Sequence, residues 1–89
     1  MTKAEIVAEI SKQTGIEREK ALNVLESFML IVKDQTSGGE DVFLRGFGTF
    51  TTKTRAAKVG RIIKENKSVV VPAHKIPYFK PCAEYKQMF

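Results

Sequence analysis

Eight of the fifteen Lys and Arg residues fall between positions 53 and 80, in the stretch KTRAAKVGRIIKENKSVVVPAHKIPYFK. Lys53 and Arg55 are two residues apart, so on an extended strand they share one face. Lys58 and Arg61 follow, and Lys64, Lys67 and Lys75 continue the positive track. Cations of this kind suit phosphate oxygens and the negative potential of a narrow groove. Beside the polar, turn-like Lys64-Glu65-Asn66-Lys67 stands an apolar pair, Ile62-Ile63. An exposed apolar side chain at such a tip has the chemistry of a wedge that enters a base step. Ile63 is the candidate; on an extended backbone Ile62 must face the other way.

Other chemistries find little support. His74 is the one histidine and Cys82 the one cysteine. No internal disulfide and no Cys/His metal spacing can be built from them. No GxSxG, P-loop or GxGxxG is present, and Gly46-Phe47-Gly48 carries only half of the last pattern. The sequence therefore reads as a non-enzyme without cofactor or metal. Cys82 reads as an inert thiol, since reactive thiols need specific surroundings.

The charge is divided. Residues 1–51 hold six Lys/Arg against eight Asp/Glu, a net −2, whereas residues 52–89 hold nine against two, a net +7. A basic half on a mildly acidic base is the footprint of a nucleic-acid binder. Lys3, Glu5 and Glu9 interrupt any secretory leader. No apolar run approaches the ~20 residues of a membrane helix, so no membrane partner is expected.

These residues need elements to position them. Thr2-Lys3-Ala4-Glu5 is a capping box, and Ala4, Ile6, Val7 and Ile10 recur at helical spacing, predicting a helix over 3–13. Gly15 suits the left-handed position that closes it. Ile16-Glu17 opens a second helix of about twenty residues, broken by Thr36-Ser37-Gly38-Gly39. Ala21, Leu22, Leu25, Phe28, Met29 and Val32 form its core stripe, and Val24, Leu30 and Ile31 widen the apolar arc. A chain of 89 residues supplies little cover for such a helix, so part of it is expected to pack on another subunit.

Strands are expected at 41–45 and 49–52, joined by Gly46-Phe47-Gly48 with both glycines available for positive φ. Leu44, Phe47 and Phe50 are packing anchors. The second strand is expected to run without a strong breaker as far as Gly60. It is answered by Ser68–Phe79 in a long hairpin whose Pro72 and Pro77 suit edge or bulge positions. Pro81 suits the first turn of a short terminal helix, about 82–88.

Gly46-Phe47-Gly48-Thr49-Phe50, Arg55-Ala56-Ala57-Lys58-Val59-Gly60-Arg61, Val71-Pro72-Ala73 and Phe79-Lys80-Pro81, in this order behind two helices, resemble the bacterial HU/IHF nucleoid proteins over essentially the whole chain. The resemblance implies an α+β, intertwined dimer. Two N-terminal helices and a three-stranded antiparallel sheet form its body (1–52), a protruding β-ribbon arm and its root follow (53–80), and a short C-terminal helix ends it (81–89). It implies a dimer core of Leu25, Phe28, Met29, Val32, Leu44, Phe47, Phe50 and Phe79. Arg55, Lys58, Arg61 and Lys80 match positions that face DNA, and Lys86 is expected to add a phosphate contact. Ile62-Ile63 stand where the family commonly has Asn-Pro, with the wedge role passing to Ile63.

The reading is a sequence-tolerant architectural protein that bends and compacts bacterial double-stranded DNA as a homodimer, nucleoid-associated in the cytoplasm. Bent, nicked or junction DNA is expected to be preferred, because part of the deformation is already made there. Two alternatives remain: an IHF-like, site-selective heterodimer subunit, and a protein-interaction module whose ribbon adds to a partner's sheet.

Overall fold

A computed structural model of the chain describes residues 1–62 and 67–89, with side chains described for 1–57 and 72–89. The element order is α1 (Lys3–Thr14), α2 (Arg18–Ser37), β1 (Val42–Leu44), β2 (Gly48–Arg55), β3 (Lys58–Ile62), β4 (Lys67–Val71), β5 (His74–Pro81) and α3 (Ala83–Lys86). It forms two compact units, Met1–Gln35 and Thr36–Phe89, whose boundary falls inside α2.

In the first unit, Thr2 caps α1, its hydroxyl oxygen accepting from the Glu5 N–H at 3.3 Å. The reciprocal bond expected from Glu5 to the Thr2 N–H is instead made by the hydroxyl, which donates to the Glu5 carboxylate at 3.3 Å. Gly15 closes the helix at φ 75°, its N–H donating to the Ser11 carbonyl. Two hydroxyls stitch the connection: Ser11 Oγ donates to the Ile16 carbonyl and Thr14 Oγ1 accepts from the Ile16 N–H. The 20-residue α2 then begins two residues later than the sequence suggests, with its first turn closed by Ala21 N–H on the Glu17 carbonyl. Lys3 pairs with Glu26 across the two helices, but both side chains are about half exposed. Such a pair contributes at most about 1 kcal/mol.

Among the described residues only Val7 and Ala21 are buried apolar side chains. Leu25, Phe28, Met29 and Val32 are half-buried. Val24 is 66%, Leu30 58% and Ile31 53% exposed. The wide apolar arc on α2 is therefore left without cover in the single chain.

In the second unit, β1, β2 and β5 form an antiparallel sheet in the order β1-β2-β5, and β3 and β4 form a separate two-stranded sheet. Gly46 turns β1 into β2 at φ 83°, with the Phe47 N–H donating to the Leu44 carbonyl. Gly48 is a glycine for a different reason than conformational freedom. A Cβ there would lie 2.6 Å from both the Lys80 carbonyl oxygen and the Phe79 ring.

The long hairpin is interrupted. β2 ends at Arg55, opposite His74, and β3 begins at Lys58, opposite Val71. Ala56-Ala57 and Pro72-Ala73 thus belong to neither ladder, where uninterrupted strands were expected. Pro72 has no N–H to continue the pairing. Pro77 does sit on the edge strand β5, opposite Thr52. Pro81 is the last residue of β5, opposite Gly48, and not part of the terminal helix. That helix is short, with Cys82 at its N-cap and the Cys82 Sγ accepting from the Tyr85 N–H at 3.4 Å.

Candidate nucleic-acid interface

The β2–β5 register divides the sheet into two faces. Antiparallel partners point the same way and alternate along each strand. One face carries the pairs Gly48–Pro81, Phe50–Phe79, Thr52–Pro77 and Thr54–Lys75. Here Phe50 and Phe79 lie with ring centroids 4.9 Å apart, Phe47 is 4.8 Å from Phe79, and Tyr85 of α3 stacks on Phe47 at 5.4 Å. Centroids at these distances are in the range of favourable aromatic pairs. The sheet, its turn and α3 are tied together on this side. The backbone adds a bond from the Cys82 N–H to the Phe47 carbonyl. Phe47 is nonetheless 41% exposed. Phe50 and Phe79 are half-buried, as is Leu44, whose partner is Gly48.

The opposite face carries Thr49–Lys80, Thr51–Tyr78, Lys53–Ile76 and Arg55–His74. Lys53, Arg55 and Lys80 thus share one side of the sheet, on the two strands that lead into the hairpin, and all three are exposed. None makes an ion pair with a described residue. The Lys53 ammonium lies 5.3 Å from the centroid of the Tyr78 ring. A ring face holds a cation without neutralising it. The acid on this face, Asp41, is occupied by Thr51, whose hydroxyl donates to its carboxylate at 2.6 Å. Positive charge therefore meets solvent with little internal compensation, as a phosphate-binding surface requires.

Two expected residues are placed elsewhere. Lys75 lies opposite Thr54, on the face away from Lys53 and Arg55. Lys86, in the last turn of α3, borders a concavity lined by Phe79, Pro81, Tyr85 and Phe89. His74, opposite Arg55 on the cationic face, has its Nδ1 3.2 Å from the Pro72 carbonyl oxygen. Lys58 and Arg61 belong to β3 and Lys67 to β4, and their side chains lie outside the described residues. Ile63 and Lys64 also lie outside them.

Phe43 was not singled out from the sequence. It stands opposite Thr49, which places it on the cationic face, and it is 76% exposed. The signal was available: in Val42-Phe43-Leu44, turning Val42 and Leu44 inward turns Phe43 out. Among the described residues no group of three or more His, Cys, Asp or Glu could hold a metal ion, and no helix is long and apolar enough to cross a membrane.

A family model described as "Bacterial DNA-binding protein" matches residues 1–89. The chain is 42% identical over 79 residues to the DNA-binding protein HU of Caulobacter vibrioides, covering 89% of this chain and 86% of that one. It is 34% identical over 86 residues to the DNA-binding protein HU of Clostridium pasteurianum, covering 97% and 94%. Among solved structures it is similar to the HU of Anabaena in its cocrystal with DNA, with TM-score 0.92, 28% identity and coverage of 99% and 96%. With two N-terminal helices, a three-stranded antiparallel sheet, a hairpin extension and a terminal helix in the same order, the chain belongs to the bacterial DNA-binding protein family of HU and its relatives.

Proposed function

We propose that this chain is a sequence-tolerant architectural DNA-binding protein that acts as a homodimer, bends duplex DNA and compacts it in the bacterial nucleoid. The observation that carries the reading is the placement of Lys53, Arg55 and Lys80 on one exposed sheet face, without ion pairs among the described residues. Threonines 49 and 51 intervene on the same face, and no array of base-reading amides accompanies them. Such a surface grips backbone, not sequence. Affinity then comes mainly from counterions released as phosphates are neutralised.

The exposed arc of Val24, Leu30 and Ile31 supports the dimer, because a soluble monomer gains nothing from leaving it bare. Two copies bring two hairpins to one duplex. Each places Ile63 at a base step, and the unstacking this requires costs least where the helix is already bent, nicked or branched.

Electrophoretic mobility shift on linear, nicked and four-way-junction DNA over a series of salt concentrations tests the reading. Binding to all three, steeply weakened by salt and strongest for the nicked and junction forms, is expected. Absence of binding to any duplex would remove the proposal. Selection from random sequence should enrich no consensus; a consensus would mark a site-selective protein instead.

A further inference from the structure

We infer that Phe43 is a stacking platform for an unpaired base; the inference rests on the DNA-binding reading. Its basis is one cross-strand row. Phe43 on β1 is opposite Thr49 on β2, which is opposite Lys80 on β5. The three side chains therefore share a face, in the order aromatic, hydroxyl, cation. Phe43 is 76% exposed, and the adjacent row on the same face, Asp41 and Thr51, is polar and bonded to itself.

An aromatic ring beside a cation is the unit that single-stranded nucleic acid recognises. The ring takes the face of a base, whatever its identity, and the cation takes the backbone phosphate. Phe43 and Lys80 are two strand spacings apart, about 10 Å. A nucleotide stacked on the ring can then turn its phosphate toward the ammonium, across Thr49. A paired base cannot reach the ring, because its faces are covered by its neighbours in the stack. The platform thus acts only where a base has lost its partner and can swing out, as in a short gap. A protein partner is the less suitable occupant, since Lys80 in the same row, with Lys53 and Arg55 further along the same face, favours a polyanion.

The experiment compares the full-length chain with Phe43→Ala and Phe43→Trp, on continuous duplex and on the same duplex with a two-nucleotide gap containing 2-aminopurine. Wild type and Phe43→Trp are expected to quench the 2-aminopurine and to prefer the gapped duplex. Phe43→Ala is expected to lose about tenfold of gapped-duplex affinity, the effect of one stacked base, while its continuous-duplex affinity changes less than twofold. An unchanged ratio of the two affinities in Phe43→Ala overturns the inference. So does dissociation of the Phe43→Ala dimer in sedimentation, which would show that a second copy covers the ring. Failure of the wild-type protein to bind the continuous duplex would instead overturn the DNA-binding reading itself.

Discussion

Lys53 on β2 holds its ammonium 5.3 Å from the centre of the Tyr78 ring on β5, on the same face as Arg55. The tyrosine keeps the lysine extended over the sheet and leaves its charge available. Lys53→Ala and Arg55→Ala are each expected to weaken duplex binding. Each should also flatten the plot of log K against log salt, by up to ~1 per contact and so ~2 per dimer. Tyr78→Leu should weaken binding with the slope nearly unchanged, because the charge remains and only its order is lost. Titrations between low and moderate salt measure both. A slope that ignores Lys53 and Arg55 would place the DNA elsewhere.

Gly48 has no room for even a methyl group. Gly48→Ala sets a Cβ against backbone on one side and the Phe79 ring on the other. Overpacking of this kind costs roughly 1–3 kcal/mol. The loss should appear in the urea midpoint, with Phe79→Leu in the same chain recovering part of it.

The uncovered arc of α2 gives a test of assembly. Leu30→Lys and Ile31→Lys change side chains that are more than half exposed in the single chain, so they should leave an isolated chain undisturbed. In a dimer they bury charge. Sedimentation equilibrium should show a shift toward monomer, and the melting temperature should become lower and more dependent on concentration.

Ile63→Ala should reduce the bend, measured by energy transfer between the ends of a labelled duplex, more than it reduces affinity. In the proposed function, wedge insertion produces the kink, whereas phosphate contacts supply most of the binding energy. An undiminished bend would take the wedge role away from Ile63.

The two helices were legible because their signals are local. Thr2, Gly15 and the apolar period act within a few residues of where they stand, and the predicted bounds lie within two residues of those found. Gly46 also did what its type suggests. Gly48 did not, because its reason for being glycine is the ring of Phe79, thirty-one residues away. The faces of Lys75 and Lys80 depend on a register that only pairing with β2 defines, so a list of basic residues could not separate them. The interruption at Ala56-Ala57 escaped because alanine is a weak signal either way, and the proline responsible lies on the other strand. Cys82 looked inert as a thiol, and its use is as an acceptor for the N–H of Tyr85.

That interruption has a mechanical consequence. Residues 56–57 and 72–73 face each other, so the inner and outer ladders of the hairpin share no rung at this level. Twist and strain pass along a sheet through its rungs. A load on the outer ladder, as when a duplex resists being kinked, has no rung at the seam by which to reach the Phe50–Phe79 contact directly. The chain can grip a stiff polymer without wagering its own packing on the outcome.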